Sequence, residues 1–202
     1  ANLGQKRLGR VSFVVNVNQP SITTEPERTA QAALFEALPR QCRLSCNIYA
    51  ADLDLSYLAE LILEFGIRRH IRVAVAQPLA ELGSSYVPVE QYPDLARPLL
   101  ELADICDTHD ISMGFDCGFT LCMFTPEEVG RLVLSGCRFK SSCGPALDVG
   151  TDLTVWACFP LSTLCQGERL DDFEDLDALR THFERRFERL FRAGAFQECI
   201  DC

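Results

Sequence analysis

Positive charge is in deficit. Nineteen Lys and Arg stand against twenty-nine Asp and Glu, giving a formal charge of -10 and a pI near 4.8. A nucleic-acid surface needs clustered basic side chains, so no nucleic-acid partner is expected. Long apolar runs are also missing. None reaches the roughly 18 residues of a membrane span. No basic-then-apolar leader opens the chain, so neither a secretory signal nor a membrane partner is expected, and the expected location is cytoplasmic. Histidine is scarce, with three residues, His70, His109 and His182. His109 precedes a strand at the end opposite Cys117, and His182 falls on the charged side of a late helix. A cysteine nucleophile at Cys117 therefore lacks a histidine within reach. Apolar residues are not lacking: at 48% they can fill a core, which excludes disorder as the main state. A length of 202 residues suits one domain, or one domain with an appendage.

Hydrophobic periodicity divides the first 116 residues into alternating strands and helices. Val11–Val17 is apolar and β-branched, as a buried strand would be. Thr24 and Glu27 form a capping box for a helix that ends at Pro39. Cys42–Tyr49 reads as a second strand. Leu58, Leu61, Ile62 and Phe65 share one helical face, and Gly66 closes that helix. His70–Ala76 is a third strand, Tyr92–Thr108 a third helix, and Ile111–Phe115 a fourth strand. Apolar strands joined by single helices predict a parallel sheet, either doubly wound or part of a β/α barrel. Chemistry then belongs at the carboxyl ends of the strands. Asn16, Asn18, Asn47, Gln77 and Asp116 gather there as candidate ligand-binding residues.

The texture changes after Asp116, so two domains are expected: 1–116, and a small α+β extension over 117–202. Thr125-Pro-Glu-Glu starts a short helix. Two alternating runs around Gly150-Thr151-Asp152 predict a β-hairpin. Leu179, Phe183, Phe187, Leu190 and Phe191 stripe a long amphipathic helix.

Cysteine is concentrated in this extension. Eight of the eleven follow residue 116. Dense cysteine without a secretory context points to metal or redox chemistry. Cys199-x2-Cys202 puts two thiolates on one tight turn, able to aim both at a metal about 2.3 Å away. Cys143 and Cys158, flanking the hairpin, supply a second half. Four thiolates suit zinc or an iron–sulfur cluster, and spacing does not separate the two. Cys42, Cys46 and Cys106 fit buried apolar positions.

The stretch from Cys143 through Trp156 to Cys158, with the end of the last helix running into Cys199-x2-Cys202, resembles the SPASM domain. That domain is the auxiliary cluster-binding extension of many radical S-adenosylmethionine enzymes. The upstream βα units look like the later strands of the superfamily's partial β/α barrel. Leu153 stands where the family pattern has Gly, so the hairpin is expected to turn at Gly150 instead. The superfamily's Cys-x3-Cys-x2-Cys is missing, since Tyr49 occupies the third place after Cys42 and Cys46. The resemblance implies a portion of such an enzyme, with an auxiliary [4Fe-4S] cluster on Cys143 and Cys158, and Cys199 and Cys202 serving the same cluster or a second one. Cys117, Cys122, Cys137 and Cys165 are further candidate ligands. It also implies S-adenosylmethionine in the complete enzyme, an electron donor, and a peptide or small-molecule substrate. No catalytic residue is assigned. The alternative is a zinc-stabilised interaction module without catalysis.

Overall fold

The computed structural model describes residues 11–77, 85–139, 147–165 and 167–192, apart from the side chains of 159, 160, 163 and 189–192. Two compact units divide the chain. The first comprises residues 1–77 and 84–140, and the second 78–83 and 141–202. The first unit therefore extends past the boundary expected at 116. The residues responsible are Arg138 and Phe139, which form a strand paired with the fourth one.

Five parallel strands build the first unit: β1 (Phe13–Asn16), β2 (Cys42–Ile48), β3 (His70–Val75), β4 (Ser112–Phe115) and β5 (Arg138–Phe139). Helices α1 (Glu25–Ala37), α2 (Tyr57–Phe65), α3 (Ala96–Thr108) and α4 (Pro126–Leu134) alternate with them. Local signals set the ends. Glu27 accepts from the Thr24 backbone N–H at 2.8 Å, and Gly66 closes α2 at φ 61. The third helix starts later than its periodicity predicts. Pro93 lies in a 3-10 segment, Val89–Leu95, and the α-helix begins only at Ala96.

The strands lie side by side in chain order, β1-β2-β3-β4-β5. Parallel crossovers are right-handed in nearly all proteins, so an order that never reverses keeps every helix on one face. A doubly wound sheet needs a reversal and is excluded for this unit. Burial follows. Cys42, Leu44, Cys46 and Ile48 on β2, Ile71, Val73 and Val75 on β3, and Met113 and Phe115 on β4 are all buried. They pack with Phe35, Leu58, Ile62, Leu99 and Leu132 from the helices. Phe139 closes this core, stacked on Phe115 with ring centroids 4.4 Å apart.

In the second unit, β6 (Asp148–Val149) and β7 (Val155–Trp156) form the expected antiparallel hairpin. Its turn differs from expectation. Leu153 itself takes the left-handed conformation, φ 66, and its N–H donates to the Gly150 carbonyl at 3.0 Å. Gly150 is needed for room, because a Cβ there would come within 2.7 Å of Asp152 Oδ1 and of Thr154 Oγ1. Asp152 Oδ1 anchors the turn by accepting from the Thr154 hydroxyl at 2.7 Å. Helix α5 (Leu176–Arg192) contributes Leu179, Phe183 and Phe187 to a core with Val155, Ala157 and Cys165.

Candidate functional site on the open sheet face

Side chains alternate across a strand, so the residues between the buried ones share the face opposite the helices. These are Arg43, Ser45 and Asn47 on β2, His70, Arg72 and Ala74 on β3, and Ser112 and Gly114 on β4. Asn16 and Arg138 join them, and Asp116 follows just past β4. All are intermediate or exposed. The strands were expected to be apolar throughout, but only one face is.

Register arranges these side chains in rows. Asn16 is beside Ser45, Ser45 beside Arg72, Arg72 beside Gly114 and Gly114 beside Arg138. One step back along the same register places Arg43 beside His70, which pairs with Ser112. These two adjoining rows are therefore cationic, with Asn16 ending β1 in the row of Arg72 and Arg138, whereas Asn47 and Asp116 lie beyond them toward the carboxyl ends of β2 and β4. Arg72 and Asp116 form an ion pair, and the Asp116 side chain is only 11% exposed. Arg43 donates from Nη2 to Ser12 Oγ at 3.1 Å, while its Nε is buried without a hydrogen-bond partner.

His70 sits at the centre. Its Nδ1 lies 2.8 Å from Ser112 Oγ, and the Ser112 hydroxyl donates to the Arg69 carbonyl at 3.1 Å. The hydroxyl proton being committed, Nδ1–H is the donor and Nε2 keeps its lone pair. Burial lowers the imidazole pKa below its ordinary value, and the charges of Arg43, Arg68, Arg138 and Arg72 lower it further. A neutral ring ringed by guanidinium groups offers donors to an anion and one acceptor besides.

The residues expected to bind ligand separate in space. Asn16, Asn47 and Asp116 belong to this face. Gln77 instead folds back, its amide donating to the Val75 carbonyl at 3.3 Å under Gly118. Gly118 needs both its φ of +88 and its missing side chain, since a Cβ would come within 2.8 Å of the Val75 carbonyl oxygen. Asn18 lines another cleft of about 140 Å³ with Thr23, Arg28 and Tyr57. Arg43, His70, Arg72 and Arg138 escaped the sequence reading. The signal was the two-residue spacing of polar groups in Arg43-x-Ser45-x-Asn47 and His70-x-Arg72.

Five of the eight candidate metal ligands, Cys117, Cys122, Cys137, Cys158 and Cys165, lie among the described residues. Among the described residues, no three His, Cys, Asp or Glu gather as a metal site. Cys143, Cys199 and Cys202 lie outside the described residues. Cys117 and Cys122 are exposed, and Cys158 is partly so. Cys137 and Cys165 are buried. Burial pushes the Cys137 thiol up to about 11 and that of Cys106 up to about 12, away from the thiolate a metal needs. Cys42 and Cys46 face the helices, and burial raises both. Cys46 Sγ lies 3.3 Å from the buried Tyr57 hydroxyl. No described helix is long and apolar enough to cross a membrane. Compared with known proteins, the chain matches no protein-family model, no curated protein and no solved structure.

Proposed function

We propose that the chain is a portion of a radical S-adenosylmethionine enzyme, with a partial β/α barrel for a small-molecule or peptide substrate and an extension for an auxiliary iron–sulfur cluster. The observation that supports this reading best is the single-sided helix layer. Among the described residues it leaves the polar sheet face without helices, as the inside of an incomplete barrel would be. Asn16 and Asn47 would hydrogen-bond the substrate from the strand ends. Arg72 holds the Asp116 carboxylate in place for the same purpose. Cys143 and Cys158 would hold the cluster, with Cys199 and Cys202 on the same cluster or a second one; such a cluster supplies one-electron transfer when bound and needs an external electron donor. Cys158 suits such a role, being partly exposed just after β7. The thiols of Cys42, Cys46, Cys106 and Cys137 do not, because burial disfavours their thiolates. Cys165 is spent on the apolar core. S-adenosylmethionine belongs to the complete enzyme, because Cys-x3-Cys-x2-Cys is not among these residues. Metal analysis after anaerobic reconstitution tests the reading. Iron with acid-labile sulfide is expected, and a single colourless zinc would replace it with a zinc-stabilised module.

A further inference from the structure

The geometry points to a small-oxyanion site on the open sheet face, over Gly114 and between Arg72, Arg138 and His70, taking the carboxylate or phosphate group of a small molecule. It stands on the first unit alone and holds whether or not the tail carries a cluster. Gly114 interrupts a row of larger side chains, with Arg72 on one neighbouring strand and Arg138 on the other. Two strand spacings, about 9–10 Å, separate those two backbones. That gap suits an anion bridged by two long guanidinium side chains. Among the described residues the floor is open, since a Cβ on Gly114 would meet only His70 Cε1, at 3.8 Å.

Charge makes the same point. The chain is acidic overall, yet Arg43, Arg72 and Arg138 collect around His70. Asp116 balances Arg72. Among the described residues Arg138 has no carboxylate partner, and Arg43 has only the Ser12 hydroxyl, with its Nε buried and unpartnered. Like charges held this close repel, and an oxyanion relieves that repulsion while accepting charge-assisted hydrogen bonds. Guanidinium forks match the planar geometry of carboxylate and the oxygens of phosphate.

The test follows the ring signals of the three histidines by NMR, titrating inorganic phosphate or succinate at constant ionic strength. The His70 signal should move saturably with at least one anion, while those of His109 and His182 stay in place. Arg138→Gln should weaken the response about tenfold, the scale of one lost charge-assisted hydrogen bond. Gly114→Val, which fills the gap, should abolish it with the fold intact by circular dichroism. Tighter phosphate binding would mark the ligand as a phosphate ester, and tighter succinate binding as a carboxylic acid. Absence of saturation with either anion, equal movement of all three histidines, or an unchanged Arg138→Gln response would overturn the proposal.

Discussion

Arg186 of α5 forms an ion pair with Glu168, whose side chain is only 12% exposed. His182 Nε2 lies 3.6 Å from the same carboxylate oxygen, and the other oxygen, Oε2, is buried without a hydrogen-bond partner. The Glu168 carbonyl accepts from the Val155 N–H at 3.0 Å, so the segment carrying Glu168 is tied to β7. Removing Arg186 leaves a nearly buried carboxylate uncompensated. Arg186→Ala should cost about 1–2 kcal/mol, a buried-pair figure reduced for the 38% exposure of Arg186. The double variant with Glu168→Gln should recover part of that loss. Urea unfolding of the four proteins checks it, and a double variant no more stable than Arg186→Ala would contradict it.

Leu153 occupies a left-handed conformation that suits glycine. The strain is about 1–2 kcal/mol, partly offset in a glycine variant by greater freedom of the unfolded chain. Leu153→Gly should therefore stabilise the hairpin by about 0.5–1 kcal/mol, seen as a higher urea midpoint. A lower midpoint would mean that the Leu153 side chain contributes packing exceeding the strain.

His70 titrates below its ordinary value of 6.5, with burial the first cause and neighbouring arginines the second. In the window beneath 6.5 the unfolded chain binds the proton and the folded chain does not. The His70 contribution to stability is therefore present above that window and declines as pH falls through it. His70→Gln should flatten this part of the stability–pH curve. An equally steep curve in the variant would assign the dependence elsewhere.

Thiol accessibility separates the cysteines of the first unit. Cys117 and Cys122 are exposed and should react quickly with an alkylating reagent in the folded apoprotein. Cys42, Cys46, Cys106 and Cys137 are buried, with raised thiol pKa values, and should react only on unfolding. Mass mapping of the labelled peptides distinguishes the sites. Rapid labelling of Cys137 would contradict the packing described.

Elements were legible where local chemistry dominates. The Thr24–Glu27 box and Gly66 each depend on neighbours within a few residues, and both are realised. Strand β5 was not legible, because two residues carry no periodicity and its pairing with Gly114 and Phe115 is remote in sequence. Leu153 was misread for a related reason. Propensity disfavours it in a left-handed turn, but the Asp152–Thr154 hydrogen bonds and the pairing of β6 with β7 fix the backbone regardless. The candidate site was half legible. Asn16, Asn47 and Asp116 follow from the rule about strand ends. The arginines around His70 emerge only once strand order leaves one face without helices.

The proposal of a cluster-bearing extension depends most directly on Cys158. Iron and acid-labile sulfide per chain, measured after anaerobic reconstitution of the protein and of Cys158→Ser, test it in one comparison. Both elements are expected in the parent chain and a large loss in the variant, with the βα unit still folded. Equal iron and sulfide in the two proteins, or none in either, would contradict it.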